Sequence, residues 1–452
     1  MEDTIAAIMT PVGIGSISVI RMSGKTCLEI ADRIFRGHKG KPSEYATHTL
    51  HHGGIHEGDL LIDEVMLAVM RAPHSYTTED VVEISAHGGI VSAKLILDLL
   101  VMHGARLAQA GEFTRRAFLN GRLDLTQAEA VLDIIEAQTE GAHTAAVAQL
   151  QGHLYRRLTK LYEHLANTLA HVEAHIDFPE EDIKPETRQQ LAKHLKDASD
   201  FQQKLLSTAR DGRVLREGVR TIIVGKPNVG KSSLLNALLG HDRAIVSPEP
   251  GTTRDTIEEI VNINGLPLRM IDTAGLRNDA SDVEMEGIKR ARQHLQASEL
   301  ILLVLDCSKR LEEMDRELLA TCREKPMIIV LNKKDLRQII DADYLRDFTT
   351  CSISLKTGDG LDQLKKLISI HLWQGRTRES YREIFINSRH QEALQHSRKA
   401  LEKAEAALRG TQPFEMVAAD LREALNALGL ITGSTVTEDV LDRIFSTFCI
   451  GK

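Results

Sequence analysis

The stretch Thr221-Ile-Ile-Val-Gly-Lys-Pro-Asn-Val-Gly-Lys-Ser-Ser-Leu-Leu-Asn-Ala-Leu-Leu239 decides the reading of this chain. An apolar run, Thr221 to Val224, meets the loop Gly225 to Ser232, and a helix-compatible run, Ser233 to Leu239, follows. The spacing Gly-x-x-x-x-Gly-Lys-Ser is the phosphate-binding P-loop pattern. Gly225 and Gly230 let the backbone turn and bring its N–H groups near phosphate oxygens, where the helix N-terminus adds positive potential. Lys231 reaches the outer phosphates, and Ser232 offers a hydroxyl to magnesium. A plain glycine turn between strand and helix is the competing reading, and the flanking context argues against it.

Two further stretches support the nucleotide reading. Asp272-Thr-Ala-Gly275 ends a strand-like run, Leu268 to Ile271. A carboxylate there can hold the magnesium shell, and the N–H of Gly275 can meet the terminal phosphate. Asn332-Lys-Lys-Asp335 ends the run Met327 to Leu331. The carboxylate of Asp335 can accept from both the ring N–H and the amino group of guanine, whereas adenine cannot donate both, so GTP is expected over ATP. Ser354-Leu-Lys356, after the run Phe348 to Ile353, fits the remaining base-contact loop.

The chain has 452 residues, a length that suggests about three domains. Its net charge of −8 excludes a global basic field for nucleic acid, so RNA contact requires a local patch or a partner. Five cysteines, Cys27, Cys307, Cys322, Cys351 and Cys449, form no CxxC pair, which fits a reducing cytosol. No long apolar span or signal peptide is read, and a cytoplasmic location is expected.

Residues 1–118 read as α/β. Strands are expected over Thr4 to Met9, Ser16 to Arg21, Val65 to Met70 and Val81 to Ser85, and a helix over Ile90 to His103. Gly13-Ile-Gly15 is not a dinucleotide fingerprint, because no third glycine opens a helix. His51, His52 and His56 lack a matching ligand cluster and read as solvated loop residues. Glu83 lies beside His87-Gly-Gly89 as a possible pocket floor, with an outward-facing strand carboxylate the favoured alternative.

From residue 119 the pattern is helical. Thr126-Gln-Ala-Glu129 reads as a capping box opening a helix over Ala128 to Glu140. A long helix is expected over Thr144 to Asp177, its apolar stripe running from Leu154 to Ile176. His171 and His175, one turn apart on it, read as surface histidines. Phe178-Pro-Glu-Glu-Asp182 breaks that helix, and another is expected over Pro185 to Arg210. The nucleotide-binding module spans 216–378. Helical pattern returns over His390 to Leu408, Phe414 to Leu428 and Glu438 to Phe448. The expected organisation is therefore α/β plus all-α: an N-terminal α/β domain (1–118), one helical domain made of 119–215 and 379–452, and an inserted Ras-like P-loop GTPase module whose termini lie close together. After Gly275 stands Leu276, where Ras-like enzymes carry a water-orienting glutamine. Leucine cannot bond the water, and Asp279, Asp282, Glu284 and Glu286 in the following loop are the candidates to hold it.

Over its whole length the sequence resembles the bacterial tRNA modification GTPases of the MnmE (TrmE) family. The resemblance is carried by Thr10-Pro-Val-Gly-Ile-Gly-Ser16, Gly111-Glu-Phe-Thr-Arg-Arg-Ala-Phe-Leu-Asn120, Asp177-Phe-Pro-Glu-Glu-Asp182, the nucleotide motifs and the terminal Cys449-Ile-Gly-Lys452. Cys449 by position alone matches a prenylation signal, a reading rejected because Gly451 and Lys452 fit it poorly.

The resemblance implies a homodimer that acts with the flavoprotein MnmG in a heterotetramer, with FAD in that partner only. Together they add a carboxymethylaminomethyl or aminomethyl group to the 5-position of the wobble uridine of certain tRNAs. The one-carbon unit comes from formyl- or methylene-tetrahydrofolate. Folate contacts carry over to Arg21, Glu83, Arg122 and Lys452, in an N-terminal domain that also dimerises, with Cys449 as a functional cysteine nearby.

Nucleotide contacts carry over to Asn228, Val229, Gly230, Lys231, Ser232 and Ser233, then to Ser247, Pro248, Glu249, Pro250, Gly251, Thr252 and Thr253. They continue with Asp272, Thr273, Ala274 and Gly275, then Asn332, Lys333 and Asp335, then Ser354, Leu355 and Lys356. Magnesium falls to Ser232 and Thr253, and potassium to Asn228, Ser247, Glu249 and Thr252. Glu284 matches the family's catalytic glutamate. Pro248 and Pro250 depart from the family pattern and stiffen the potassium loop. Two other classes share parts of the pattern: a ribosome-assembly GTPase, for which no KH-type module or basic tail is read, and a nucleotide-gated scaffold.

Overall fold

Alternation and continuity of apolar residues separate the two sheets of the protein. A computed structural model describes residues 3–177, 188–242, 259–271, 295–341, 343–373, 385–410 and 412–452. The chain divides into two compact units, one of Met1–Leu132, Leu154–Leu195 and His396–Lys452, the other of Asp133–His153 and Lys196–Gln395.

The first unit holds a seven-stranded sheet of β1 (Ile5–Ile8), β2 (Ile17–Ser23), β3 (Phe35–Gly37), β4 (Thr49–Glu57), β5 (Leu60–Met70), β6 (Val81–His87) and β7 (Arg106–Leu107), ordered β3-β4-β5-β6-β2-β1-β7. All neighbours are antiparallel except β1 and β7. Buried and half-buried residues alternate along β2 and β6, as expected of strands with one face in a core. That core joins Ile20, Met22, Val82 and Ile84 to the helices Cys27–Ile34 and Ile90–Met102.

One expectation for this region is corrected. His51, His52 and His56 lie on β4, not in a loop. The ring of His51 stacks on Tyr45 at 3.5 Å between centroids, while His52 Nδ1 stands 3.3 Å from His38 Nε2. The strand was masked by Gly53 and Gly54, which suppress its apolar pattern. A side chain at Gly53 would meet Arg36 O at 2.4 Å and the ring of Phe35 at 2.6 Å, so this crossing requires glycine.

In the helical segments, the expected capping box is displaced by two residues. The helix is Leu125–Glu136, and Asp124 Oδ1 accepts from the N–H groups of Thr126 at 2.8 Å and Gln127 at 3.1 Å. Gln127 Oε1 accepts in return from Asp124 N at 3.1 Å. The single helix expected over Thr144 to Asp177 is two, Glu140–Leu150 and His153–Asp177, because Gly152 takes φ +75° between them. Helices Arg188–Leu206 and Ala209–Glu217 likewise replace one expected helix. Later helices are Ser388–Arg409, Phe414–Thr432 and Glu438–Phe445. No helix among the described residues is long and apolar enough to cross a membrane.

The second unit holds a six-stranded sheet of β8 (Val219–Val224), β9 (Glu259–Ile263), β10 (Leu266–Met270), β11 (Leu300–Asp306), β12 (Met327–Asn332) and β13 (Thr350–Ser352), ordered β13-β12-β11-β8-β10-β9. All pairs are parallel except the edge pair β9 and β10. Strand β11, Leu-Ile-Leu-Leu-Val-Leu-Asp, is buried at every position, as a central strand covered on both faces must be. Helices Lys231–Asp242, Glu313–Cys322 and Leu361–Trp373 accompany this sheet. The carboxyl ends of β8, β11, β12 and β13 open on one edge, where parallel α/β sheets bind ligands.

Candidate nucleotide and N-terminal sites

At the end of β8 the backbone makes the turn foreseen from the glycines. Gly225 has φ +152°, Asn228 +62° and Gly230 +108°. A Cβ on Gly225 would lie 2.4 Å from Val304 O, and one on Gly230 2.4 Å from Asn332 Nδ2. Both glycines are therefore required by close approach as well as by conformation. Ser232 and Ser233 follow Lys231 in the first turn of the helix Lys231–Asp242, where N–H groups and the helix dipole favour anions. Lys231 Nζ donates to Lys226 O at 2.8 Å, across the loop its ammonium is expected to serve.

The base-contact loops meet the P-loop through Asn332. Its Nδ2 donates to Val229 O at 2.8 Å, and its Oδ1 accepts from Leu355 N at 3.2 Å. One buried amide thus links three motifs. Ser354 Oγ, itself buried, donates to Asp335 Oδ1 at 2.7 Å. That hydrogen bond holds the Asp335 carboxyl below the usual carboxylate range. Asp335 is exposed, and its carboxylate is held in the ionised form.

Lys333, at φ +68°, is fastened through Nζ to Asp306 Oδ2 at 2.6 Å. Burial pushes the Asp306 pKa upward, but the hydrogen bonds from Lys333 and Ser308 prevail and hold it low. Sequence reasoning missed Asp306, although a carboxylate ending a wholly apolar strand was a usable signal. Ser247, Pro248, Glu249, Pro250, Gly251, Thr252, Thr253, Asp272, Thr273, Ala274, Gly275 and Glu284 lie outside the described residues.

In the N-terminal unit, strand register brings two expected residues together. Arg21 on β2 stands directly opposite Glu83 on β6. Arg21 Nε donates to Glu83 Oε1 at 2.7 Å, and Nη2 lies 2.5 Å from the same oxygen. Glu83 alternates with the core residues Val82 and Ile84 along β6, half-buried on the other face, and is ion-paired there. The Arg21 guanidinium lies 5.4 Å from the Tyr76 ring and 5.6 Å from that of Phe113. Arg122 lies over the same Tyr76 ring at 4.8 Å and donates to Tyr76 O at 2.9 Å. Tyr76, missed in sequence reasoning, therefore connects Arg21 with Arg122, and Phe113 flanks Arg21 alone.

The C-terminal tetrapeptide docks onto this region by its backbone. Ala110 bridges to Ile450, and Lys452 O accepts from Phe113 N at 3.0 Å. Gly451 has φ +100° and passes so close to Ile8 O that a Cβ would stand 2.8 Å from it. Cys449 is exposed at the edge of this turn.

A parallel sheet carrying a P-loop on β8, an Asn-Lys-Lys-Asp loop on β12 and a Ser-Leu-Lys loop beyond β13 defines a guanine-nucleotide-binding P-loop protein of the GTPase class. Family models match over residues 4–122, the GTP-binding protein TrmE N-terminus, and 125–449, the MnmE helical domain. The tRNA modification GTPase MnmE of Clostridioides difficile (strain 630) is 46% identical over 457 residues, covering 100% of both chains. That of Bacillus subtilis (strain 168) is 43% identical over 458 residues, again covering 100% of both. Among solved structures, the G domain of the T. maritima FeoB iron transporter is 30% identical, with a TM-score of 0.27 over 34% of this chain and 98% of its own. The chain belongs to the MnmE family of tRNA modification GTPases, GTP hydrolases that act in tRNA modification.

Proposed function

We propose that this chain is a potassium-dependent GTPase that works in the cytoplasm as a homodimer with the flavoprotein MnmG. The pair adds a carboxymethylaminomethyl or aminomethyl group to the 5-position of the wobble uridine of certain tRNAs, with a tetrahydrofolate derivative as one-carbon donor. The observation that carries the nucleotide half of this reading is the Asn332 amide, which joins P-loop and base loop while Ser354 presents the Asp335 carboxylate.

Within the proposed reaction, Lys231 and the first-turn N–H groups orient the phosphates, and Asp335 selects guanine. Glu284 positions the attacking water in place of the missing glutamine at Leu276. The residues fit their proposed ligands. Ser232 brings a hydroxyl to the start of the P-loop helix, as a magnesium site requires. Asn228 is exposed at the loop tip and supplies an amide oxygen, a donor suited to a weakly hydrated cation such as potassium. Thr253 completes the proposed magnesium set, and Ser247, Glu249 and Thr252 the potassium set. When bound, the two cations would neutralise negative charge on the phosphates.

Arg21, Glu83, Arg122 and Lys452 form the proposed folate set. Both guanidinium contacts of Arg21 go to Glu83 Oε1, so among the described residues Oε2 is left to accept from the donor edge of a pterin. The guanidinium groups of Arg21 and Arg122, gathered over Tyr76, suit the anionic tail of such a ligand.

GTP turnover measured in potassium and in sodium tests the first half. A marked loss in sodium supports the reading, and an equal rate overturns the cation role. Glu284→Ala should retain GTP binding and lose most hydrolysis, whereas full turnover would refute that assignment. Wobble-uridine analysis of tRNA from a strain deleted for this chain tests the second half, because intact modification would exclude it.

A further inference from the structure

The P-loop contains a second lysine that the phosphate-binding pattern does not use. Lys226 Nζ lies 2.7 Å from Asp315 Oδ2 and 2.9 Å from Glu312 Oε2. Its side chain is 15% exposed and that of Asp315 is 5% exposed, so the pair is largely removed from water. Asp315 is held in turn: its Oδ2 accepts from Glu312 N at 3.0 Å, closing the capping box that starts the helix Glu313–Cys322. Burial pushes the Lys226 pKa downward, but the two carboxylates outweigh it and keep the ammonium charged.

The same residue meets Lys231 through its backbone carbonyl. Lys226 O is the acceptor for Lys231 Nζ at 2.8 Å. Pro227 follows with its ring-restricted φ, and Asn228 then takes the left-handed conformation at +62°. Lys226 is therefore fixed at both ends, by a buried ion pair on one side and the Lys231 ammonium on the other. Asn228, two residues on, has little freedom to leave its position. A loop whose amides must converge on phosphate gains affinity when it is ordered before the ligand arrives.

We propose that the Lys226–Asp315 ion pair is a positioning strut that pre-orders the P-loop for nucleotide, Lys226 acting through Asn228 and Lys231 and not by touching the phosphates. The proposal rests on the GTPase reading above. It also explains why a lysine occupies a variable P-loop position: only a long cationic side chain spans from the loop to the helix cap.

The test compares GDP affinity, GTP KM and kcat, and thermal stability in full-length wild type, K226M, K226R and the double variant K226M/D315N. The expected result is a rise of about tenfold in KM and GDP Kd for K226M with kcat changed less than about twofold, and recovery in K226R. In the double variant, which carries no unpaired buried carboxylate at Asp315, stability should return towards wild type while affinity stays weak. That split separates positioning from folding, even if K226M alone is unstable. If the double variant folds and binds GDP within about twofold of wild type, the strut has no positioning role. If wild type itself neither binds GDP nor hydrolyses GTP, the GTPase reading fails instead.

Discussion

Asn332 donates through Nδ2 to the carbonyl of Val229 at 2.8 Å, a bond between residues 103 positions apart, and both partners are buried. A buried carbonyl deprived of its donor costs about 1–3 kcal/mol, which corresponds to roughly 5- to 150-fold in an equilibrium constant. Asn332→Ala removes that donor and also the acceptor for Leu355 N. GDP affinity, followed by titration with a fluorescent nucleotide, should fall within that range. Unchanged affinity would show that the two loops hold their positions without the amide.

Asp335 tests base selection directly. Replacing its carboxylate with an amide, Asp335→Asn, turns one acceptor into a donor and should lower GTP affinity by about a thousandfold, while improving that of xanthosine triphosphate, whose C2 carbonyl accepts. The pH dependence has a definite sign. The folded pKa lies below the ordinary value, so the ionised form persists as pH falls and is lost only on passing below about 3.9. Ser354→Ala removes the hydrogen bond that lowers it and should move the acid loss of GDP binding to higher pH. Identical acid limbs in the two proteins would contradict the assigned cause.

How much of this was legible in sequence depends on how far apart the interacting residues lie. Gly225, Gly230, Lys231 and Ser232 are read from eight consecutive residues because one turn must do one task. The Arg21–Glu83 pair was not, since it depends on the register of two strands whose residues stand 62 positions apart. Asp124 was passed over as a helix cap because Thr126 and Glu129 match the same spacing rule. Backbone geometry decides between them: Asp124 accepts from two first-turn N–H groups. Lys226 carried no signal of its own, because its partners Glu312 and Asp315 begin a helix on the far side of β11 in sequence.

Gly230 offers a sharp steric test. With φ +108° and Asn332 Nδ2 only 2.4 Å from an added Cβ, Gly230→Ala cannot be accommodated without shifting the amide that joins the loops. Nucleotide binding should be lost beyond detection at micromolar protein, while far-ultraviolet circular dichroism stays near wild type. Gly240 lies in the P-loop helix with nothing near its Cβ position among the described residues, so Gly240→Ala should bind normally and serves as the control. Equal binding by both variants would refute the steric account.

In the N-terminal unit the greatest sensitivity should lie at Arg116, whose side chain is fully buried. It pairs with Asp3 Oδ1 at 2.8 Å, Glu79 Oε1 at 3.2 Å and Glu112 Oε1 at 3.1 Å. Arg106 reaches the same Glu112 at 2.6 Å. Burial raises the Glu112 pKa, yet the hydrogen bond from Arg106 and those from Gln109 N and Arg116 outweigh it and hold the carboxyl low. Arg116→Met removes one of the two cations of this cluster: Asp3 and Glu112 keep Arg106, while Glu79 loses its arginine partner. Breaking a buried pair in this way costs about 3–5 kcal/mol, so urea unfolding of the N-terminal unit should shift to a clearly lower midpoint. For wild type, Glu112 and Asp3 both titrate below their unfolded values, so their stabilisation is complete above the ordinary carboxylate range and fades as pH falls through the lowered folded values. In Arg116→Met part of that stabilisation is already absent at neutral pH, and the difference in stability between the two proteins should narrow as the pH approaches about 3. A gap that stays constant from neutral pH downward would mean that Arg116 contributes by filling space and not by charge.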